Sequence, residues 1–473
     1  MSKDARPTGL PRRPLKICHV AATADGATWM FEQLRELRDR YGHDVTAVVS
    51  GPQGALIEKL KAENIRYHVT NFAAGPGPLL ETFLMPIAIL RLALFFRRER
   101  FDVIQHHIFI SMRIARPAAW LAGVPIRISM LSGPFHLEAP TSRWIERLTY
   151  WMDTMLLPSC EVSAKLCREI GVPESRIGPV IYYGPDDHRF DPETALPVDI
   201  RSEFGWPSDT PLVCMVAFFY PRLSAGSWVP PEVRNRGIKG HGDLVKAAPV
   251  VLREFPNAKF LLVGSGWGTY GEKYLEEVKQ LVRELGLESA VVFPGYRADA
   301  NGILRGSNVA VQASLSENLG GTIESLLMEC PTVATRVGGL VDTVKDGETG
   351  VLVNPSDPQD LARGIARLLR DRDAASALGK RGRQYMLQRF TLRRTTDDLN
   401  SLYLQLTEPT KSKPYNLLFS LGRLIIGAPL FAYIAFRLFF VDGYIFYKVR
   451  SALYKLLRRV RASGYSGKRR LDG

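Results

Sequence analysis

The chain has 473 residues, of which 46% are hydrophobic and 23% charged, so it is long enough for two or three globular domains. Its formal net charge of +14 favours an anionic substrate, an acidic membrane surface or a nucleic acid as partner, and the concentration of basic residues at the far C-terminus favours the membrane. The five cysteines show no CxxC pair and no zinc-ligand spacing, which argues against a zinc site and indicates reduced cytosolic thiols.

The first half of the chain begins with a polar, proline-rich segment. We expect no signal peptide there, because the apolar segment of one is missing, and we expect residues 1–14 to be disordered. Leu15–Ala21 then has the pattern of a buried strand, and after a loop containing Gly26 a helix is predicted over Thr28–Arg40. Strand and helix patterns continue to alternate up to Thr70. Consecutive βα units of this kind predict a parallel sheet covered by helices.

Leu79–Phe96 is strongly apolar, and three arginines follow it closely. The segment is interrupted by Pro86 and carries Glu81 and Arg91 inside it. Its length and its charges argue against a membrane span. We therefore expect a helix that is buried or lies on the surface.

Two predicted strand ends in the first half are followed by histidines. The sequence FDVIQHH closes at His107, and the strand Val124–Ser129 leads into SGPFHLE, which contains His136. Open α/β sheets bind ligands at the carboxyl ends of their strands, so both histidines are candidates for contact with a ligand. An isolated histidine is more often structural or solvated, and that alternative stays open for both.

A second βα series begins at Pro211–Phe218, after a stretch rich in Pro, Asp and Ser (Asp191–Asp209) that marks a domain boundary. A long basic loop follows, and Lys239-Gly240 stands just before a predicted helix. The strand at Phe260–Gly268 ends in GSGWG. Its glycine spacing differs from that of a dinucleotide-binding loop, and the acidic residue expected at the next strand end is missing. Another strand is predicted at Val291–Arg297.

The most informative stretch is Asn308–Asp342, NVAVQASLSENLGGTIESLLMECPTVATRVGGLVD. A β-branched strand is predicted to end in a short polar loop, and Gly320-Gly321 opens a helix that ends near Cys330. Glu317 and Glu324 then lie on either side of the helix N-terminus, whose free N–H groups favour a phosphate or a sugar hydroxyl. The pattern predicts an anion-binding site, although a buried βα unit with a capped helix has the same local features.

This stretch, together with Lys239-Gly240, resembles the donor-site block of the GT-B retaining glycosyltransferases of family 4. Those proteins place a Ser, an acid, a Gly-containing loop, a second Glu, a turn with Pro and a Gly-Gly there, and the two acids here enclose six residues, one fewer than is usual. The segment LPSCEVSAKLCREIGVPESRIGPVIYYGPDDHRFDP resembles the one that closes the first domain of the family. The resemblance covers roughly Leu15 to Leu406 and implies an α/β protein of the GT-B type, with two Rossmann-like domains facing a cleft.

The resemblance also implies a role for each acid and cation. Glu324 would hold the donor ribose and Glu317 the hydroxyls of the sugar, while Lys239 and an arginine would contact the diphosphate. Loss of a nucleoside diphosphate develops charge on the leaving oxygens, so a cation is needed there when no metal is used. His136 would face the transferred sugar. The other donor-binding positions implied by the resemblance are Gly26, Arg222, Arg236, Gly264, Tyr296, Arg297, Asn318, Leu319, Gly320 and Gly321.

We expect neither a metal nor a cofactor besides the nucleotide-sugar substrate. Metal-dependent glycosyltransferases use a D-x-D string, and Asp371-Arg372-Asp373 matches it, but this string lies between helical segments, far from every predicted strand end. The arginine expected at the diphosphate has three candidates in the long basic loop, namely Arg222, Arg234 and Arg236.

The composition changes beyond Lys413. The uninterrupted apolar run Leu424–Phe436 is too short to span a bilayer, and Arg423 and Arg437 on either side suit a helix at the interface. Lys448–Arg470 then carries nine basic and no acidic residues, a pattern that attracts anionic lipid. We expect monotopic attachment, with a helical hairpin docked on the enzyme and a tilted span as the alternatives.

These patterns divide the chain into a disordered N-terminus (1–14), an acceptor-side domain (15–205), a donor-side domain (206–390), a crossover helix (391–412) and a membrane-associating tail (413–473). The predicted function is transfer of a sugar, with retention, to a lipid-linked or polysaccharide acceptor at the cytoplasmic face of the membrane, with an anionic membrane surface and no nucleic acid as partner. Two other classes stay open. One is a nucleotide-sugar epimerase, which would need extra acid and base carboxylates in the cleft, and the other is a non-catalytic partner protein whose site has decayed.

Overall fold

A computed structural model describes residues 13–70, 72, 79–196 and 198–407, together with six residues of the tail: Gly422, Arg423, Ile425, Gly427, Pro429 and Tyr433. Most of the predicted tail, including its basic segment, and nearly all of the predicted disordered N-terminus lie outside the described residues. The described chain forms two α/β domains, each with a parallel six-stranded sheet.

The strands of the first domain follow the alternation expected from the sequence. They are β1 (Lys16–Val20), β2 (Asp44–Val49), β3 (Arg66–Val69), β4 (Val103–His107), β5 (Ile126–Leu131) and β6 (Met155–Pro158). The helices are α1 (Thr28–Asp39), α2 (Ala55–Ala62), α3 (Leu79–Glu99), α4 (Phe109–Ala122), α5 (Phe135–Glu138), α6 (Pro140–Thr149) and α7 (Glu161–Glu169). All five strand pairs are parallel, in the order β3-β2-β1-β4-β5-β6.

Helices cover both faces of this sheet because its strands are apolar on both sides. Ile17 packs with the helices α1 and α2, whereas Cys18 and Val20 point the other way, under α3 and α4. Alternate residues of a strand face opposite sides, so a strand buried on both faces has a continuous apolar run. The apolar segment predicted to be a buried or surface helix is α3, whose Phe96 is buried and whose Leu94 is 67% exposed.

The second domain repeats this architecture. Its strands are β7 (Leu212–Val216), β8 (Lys259–Val263), β9 (Val291–Gly295), β10 (Val309–Gln312), β11 (Thr332–Thr335) and β12 (Val351–Val353), in the order β12-β11-β10-β7-β8-β9. Its helices are α8 (Ile200–Glu203), α9 (His241–Glu254), α10 (Gly268–Glu284), α11 (Ala300–Gly306), α12 (Thr322–Leu327), α13 (Leu340–Thr343), α14 (Pro358–Arg370) and α15 (Arg372–Arg389).

One predicted boundary in this domain was wrong. The helix expected to reach Cys330 ends at Leu327, because Glu329 adopts a left-handed backbone conformation with φ of 57°. The helix α12 therefore has only six residues.

The last described helix, α16 (Leu392–Thr407), returns to the first domain. Its Tyr403 is fully buried in the core of that domain, and Asp397 pairs at 2.9 Å with Arg40, the residue that follows α1. The crossing expected near the end of the second domain is thus present. Among the residues that the structure describes, no helix is both long enough and apolar enough to cross a bilayer.

The strand orders place a topological switch point in each sheet, at β1 and β4 in the first and at β7 and β10 in the second. Open α/β sheets bind ligands outside the carboxyl ends of the strands at such a point. The two carboxyl edges face each other across a cleft, since Ser159, next to the end of β6, donates to Asn318 beyond β10 at 2.9 Å. This is the GT-B arrangement.

Candidate active site

A pocket of about 240 Å³ opens at the carboxyl ends of β7, β8 and β10. Its lining residues are Val216, Ala217, Phe218, Tyr220, Lys239, Val263, Gly264, Tyr296, Arg297, Gln312, Gly321 and Glu324. Six of these were predicted as donor-site residues: Lys239, Gly264, Tyr296, Arg297, Gly321 and Glu324. The fold thus gathers residues from five separate segments of the second domain around one concave surface.

Lys239 is held beside this pocket by the turn that precedes α9. Gly240 has φ of 75°, and a Cβ there would lie 1.9 Å from the carbonyl oxygen of Ala313, so the close approach of this turn to the end of β10 requires glycine. Lys239 Nζ donates to the carboxylate of Glu317 and lies 5.8 Å from the ring centre of Tyr220. Burial by itself would lower the pKa of Lys239, but the Glu317 carboxylate outweighs it, and the pKa is raised. The lysine is therefore positively charged in the pocket.

Glu317 is fixed by three hydrogen bonds. Besides the one from Lys239, its carboxylate accepts the hydroxyl of Ser314 at 3.0 Å and the backbone N–H of Asn318 at 3.2 Å. Its side chain is only 12% exposed. The carboxylate is therefore oriented by its own loop and by a cation from another loop.

Glu324 lies in the first turn of α12 and borders the pocket. Burial raises its pKa, while Arg189 and Lys239 act in the opposite direction. The two glycines before it are required, one because of its backbone conformation and the other because a side chain would not fit. Gly320 has φ of 56°, and a Cβ on Gly321 would lie 2.6 Å from Nε2 of Gln312. The predicted adjacency of the two acids, the glycines and the short helix is present.

The loop after β5 closes over this site from the first domain. Gly133 lies against Asn318, where a Cβ would be 3.0 Å from the Asn318 Cβ, and Glu138 accepts the hydroxyl of Ser316 at 3.0 Å. Between them, His136 stacks on Phe109 with ring centres 5.4 Å apart. The site therefore contains elements of both domains.

His136 is 8% exposed, and its Nε2 has no hydrogen-bond partner among the described residues. Burial lowers the pKa of His136 to about 4; Glu146 acts against this and Arg116 adds to it. The imidazole is therefore neutral at physiological pH, with one ring nitrogen unused. His107 instead belongs to the core, where it bonds His19 at 3.2 Å and the hydroxyl of Tyr183 at 2.8 Å.

Gly26 lies on the side of the cleft formed by the first domain. A Cβ on it would be 3.9 Å from the ring of Trp267, which belongs to the second domain. The neighbouring Asp25, whose charge the sequence does not explain, accepts the backbone N–H of Ala55 at the start of α2 at 2.8 Å.

Gly264 of the second domain has φ of 148° and lies so close to Ala217 that any Cβ would collide with the carbonyl oxygen of Ala217.

The two residues predicted to contact the nucleobase differ in whether they already have a partner in the structure. Tyr296 is 65% exposed and stacks on Phe218 with ring centres 6.3 Å apart. Arg297 borders the same pocket, but its guanidinium already pairs with Glu203 at 2.6 Å and with Asp299 at 2.8 Å. A ligand at this end therefore meets an aromatic face beside a neutralised cation.

The arginines predicted at the diphosphate are paired elsewhere. Arg222 donates to Glu277, Arg234 to the carbonyl of Val229 at 3.2 Å, and Arg236 to Asp243 at 2.9 Å. Arg222, Arg234 and Arg236 are all absent from the pocket lining. Among the described lining residues the cations are Lys239, which pairs with Glu317, and Arg297, which pairs with Glu203, and the predicted role of Arg222 and Arg236 stays a prediction.

Several lining residues were missed from the sequence. Gln312 ends β10, and Phe218 and Tyr220 follow β7. Their position at strand ends was the available signal, but aromatic and amide side chains there are also common in cores. Trp267 was missed as well, although it follows the glycines of GSGWG. It packs at 5.1 Å from Phe218 and forms an aromatic wall with Phe218, Tyr220 and Tyr296.

Comparison with known proteins agrees with this geometry. The family profile of the glycosyl transferases group 1 matches residues 234–385, and that of a glycosyl transferase 4-like domain matches residues 25–182. A D-inositol 3-phosphate glycosyltransferase of Corynebacterium urealyticum is 27% identical over 391 residues, which cover 76% of this chain and 85% of the relative.

Two further proteins illustrate the range of the similarity. A GDP-mannose-dependent alpha-(1-6)-phosphatidylinositol monomannoside mannosyltransferase of Mycolicibacterium smegmatis is 28% identical over 225 residues, covering 44% of this chain and 52% of that protein. The solved structure of Anabaena HepE in complex with UDP and glucose shares the fold, with a TM-score of 0.65 at 19% identity, covering 82% of this chain and 99% of that one. The chain belongs to the glycosyl transferases group 1, the family 4 glycosyltransferases with the GT-B fold.

Proposed function

We propose that the protein is a retaining, metal-independent glycosyltransferase that moves a sugar from a nucleoside diphosphate sugar to a membrane- or lipid-linked acceptor, in the synthesis of a cell-surface polysaccharide or glycolipid. The single observation that carries the proposal is the buried pair of Lys239 and Glu317 beside Glu324 at the end of β10. A charged lysine inside a pocket bordered by carboxylates can bind a ligand that carries both a diphosphate and sugar hydroxyls.

In this proposal each group contacts a different part of the donor. Glu324 accepts the ribose hydroxyls, Glu317 accepts those of the transferred sugar, and Lys239 contacts the diphosphate. The amides of Asn318 to Gly321 donate to the sugar and the phosphate, and Tyr296 contacts the base. Gly264 and Gly26 allow the backbone to approach the ligand from the two domains.

The chemistry requires stabilisation of the leaving diphosphate. As the bond from the sugar to the phosphate breaks, negative charge grows on the phosphate oxygens, and the fixed ammonium of Lys239 is oriented for it before the reaction begins. Retention would follow from attack of the acceptor on the same face of the sugar as the departing phosphate, whose oxygen receives the acceptor proton. His136, held neutral by burial, offers its free Nε2 to a sugar hydroxyl.

Two features support an acceptor at a membrane. The chain carries a net charge of +14, with nine basic residues and no acidic residue between Lys448 and Arg470. The described part of the tail lies against the first domain, since Arg423 donates to the carbonyl of Trp120 at 2.7 Å, a contact that the alternative of a tail docked on the enzyme also requires. One relative is named for its action on a phosphatidylinositol monomannoside. We therefore place the enzyme at the cytoplasmic face of the membrane, as a peripheral or monotopic protein.

The direct test is an assay of hydrolysis and transfer with a panel of nucleotide sugars, with and without membranes and with excess EDTA. We expect one donor to be consumed, transfer only when membranes or lipid acceptors are present, and no loss of rate with EDTA. The anomeric configuration of the product, read by NMR, should match that of the donor. Conversion of the donor to an epimer, or activity that EDTA abolishes and manganese restores, would contradict the proposal.

A further inference from the structure

Arg113 of α4 is a cation without a counter-charge. Its side chain is only partly exposed, burial lowers its pKa, and among the described residues no carboxylate pairs with it and no acceptor takes a hydrogen bond from it. The buried Arg116, one turn further on, is bound by both Glu146 and Asp153, at 2.6 and 2.7 Å. The buried Arg127 donates to the carbonyl of Met152 at 2.6 Å. Arg113 is therefore exceptional among the strongly desolvated arginines of the described chain.

The surroundings of Arg113 come from both domains. Its guanidinium lies 5.3 Å from the ring centre of Trp228, which belongs to the long basic loop of the second domain. That loop is anchored on the first domain, because the carbonyl of Ser227 accepts the backbone N–H of Thr141 at 3.1 Å. Phe109 lies between Trp228, at 6.3 Å, and His136, at 5.4 Å. The unpaired cation thus lies where the two domains touch, beside an aromatic cluster that includes His136.

This combination suits the binding of an anion. An aromatic ring stabilises a guanidinium electrostatically, but it does not accept hydrogen bonds from the five N–H groups as an anion does. A charge that is removed from water without such an acceptor is costly. A phosphate matches the planar donor set of arginine better than a single carbonyl does. Ile110, three residues earlier on the same helix, is 40% exposed, so the cation has an apolar neighbour.

The other end of α4 contacts the tail. Arg423 bonds the carbonyl of Trp120 in its last turn, and Tyr433 packs on Trp144 of α6 with ring centres 5.8 Å apart. Arg113 is about 15 Å along the helix from Gly123, the cap of α4 beneath Arg423, at the usual rise of about 1.5 Å per residue. The helix therefore leads from the tail to the cleft.

We propose that Arg113 binds a phosphate group of the acceptor, with Trp228 and Ile110 beside the apolar part of the same molecule. The identification of this ligand as the acceptor rests on the function proposed above, whereas the phosphate subsite rests on Arg113 alone. A lipid phosphate and a soluble sugar phosphate present the same chemistry to the guanidinium.

The test uses the full chain and two matched detergents, n-octyl phosphate and the neutral n-octyl glucoside, with UDP and GDP both in excess so that the donor pocket is filled. We expect Arg113→Gln to weaken the binding of octyl phosphate by about 10-fold or more and to leave octyl glucoside unaffected, because one charge-assisted bidentate contact is lost. Arg147→Gln removes an exposed arginine of α6 and serves as the control, with both affinities unchanged. Glucose 6-phosphate in place of octyl phosphate distinguishes a soluble phosphate from a lipid one.

Wild-type protein gives a second readout that does not depend on a variant that folds. Octyl phosphate should slow the modification of Arg113 by phenylglyoxal about fivefold or more, as read by peptide mass spectrometry, and octyl glucoside should not. Equal labelling with both detergents, or equal affinity of Arg113→Gln and wild type for octyl phosphate, would overturn the subsite. A protein that binds octyl phosphate through Arg113 yet transfers to no lipid acceptor would retain the subsite and refute the proposed function.

Discussion

The carboxylate of Asp342, in the second domain, accepts the backbone N–H of Glu161, the first residue of α7 in the first domain, at 2.8 Å. Next to it, a Cβ on Gly339 would lie 2.9 Å from the Cβ of Cys160, so the two domains touch closely at this point. The carboxylate faces the N-terminal end of a nine-residue helix, where the peptide dipoles favour negative charge. Burial nevertheless raises the pKa of Asp342 to about 6.

Asp342→Asn should therefore stabilise the protein, and more so at high pH. Because the pKa of Asp342 is raised by folding, the folded state binds its proton more tightly, and the free energy of unfolding falls as pH rises from about 4 to about 6. Asparagine keeps an oxygen for the N–H of Glu161 and carries no charge. We expect the gain over wild type to be about 1 kcal/mol larger at pH 8 than at pH 5.

Melting temperatures of wild type and variant at these two pH values measure this difference. Asp209→Asn, at an exposed position of the same domain, is the control and should show no such trend. A gain for Asp342→Asn that is the same at both pH values would contradict the assignment.

Glu324→Ala should abolish transfer and leave the fold intact. The side chain borders the pocket in the first turn of α12 and makes no hydrogen bond to the described residues of the core, so its loss removes the proposed contact with the donor and creates little internal cavity. Circular dichroism and the melting temperature check the fold, and transfer is measured at saturating donor. Glu348→Ala, an exposed acid in the same domain, should keep the wild-type rate. Near-normal turnover of the Glu324 variant would remove this residue from the donor site.

Lys239→Ala should lower turnover by about 100-fold or more, because one preorganised donor to the developing charge contributes about 3 kcal/mol. The variant also leaves the Glu317 carboxylate with the hydroxyl of Ser314 and one backbone N–H as its partners. Single-turnover rates separate this loss from weaker donor binding. Lys246→Ala, on the exposed face of α9, the helix that follows Lys239, provides the matched control. A variant at Lys239 whose rate is within a factor of about three of wild type would show that the leaving diphosphate is stabilised elsewhere.

A chain truncated after Lys411 should be soluble, should still hydrolyse or bind the donor, and should transfer poorly to lipid acceptors. It loses the contacts of Arg423 and Tyr433 with α4 and α6, while the pocket in the second domain is untouched. Binding of the full chain to anionic vesicles should weaken as salt is added, since exposed charges are screened. Sedimentation with vesicles of neutral and anionic lipid measures both effects.

Retention of the truncated chain in the membrane fraction would place the anchor elsewhere. The other apolar surface of the first domain is the outer side of α3, where Ile87 and Leu90 are nearly half exposed and Leu94 is 67% exposed. Replacing these three residues with serine in the truncated chain would then test that helix. In that case the tail would not be the membrane anchor.

The order of strands and helices could be predicted because it is a local property. A strand buried on both faces needs a short, largely apolar run, as in Asp44–Val49, and a helix needs a period of 3.6, so neighbouring residues are enough to predict each element. The structure differs from the prediction where a contact with a residue distant in sequence constrains the backbone. The helix after Gly321 ends early at the left-handed Glu329, whose carbonyl would collide with any Cβ on Gly379 of α15.

The sequence by itself determined the alternating βα fold and placed the two acids and the glycine pair along one strand, loop and helix, because their spacing in the chain carries that information. The role predicted for Lys239, which lies in a different segment, came from the resemblance to the family. The tertiary structure decided which of them meet. Lys239 and Glu317 are 78 residues apart, and Ser159 and Asn318 are 159 apart, so these pairs depend on how two sheets and two domains pack. Packing likewise gave the candidate arginines of the long loop hydrogen-bond partners and left Arg113 without one among the described residues, since a cation's partner is set by the fold around it and not by its neighbours in the chain.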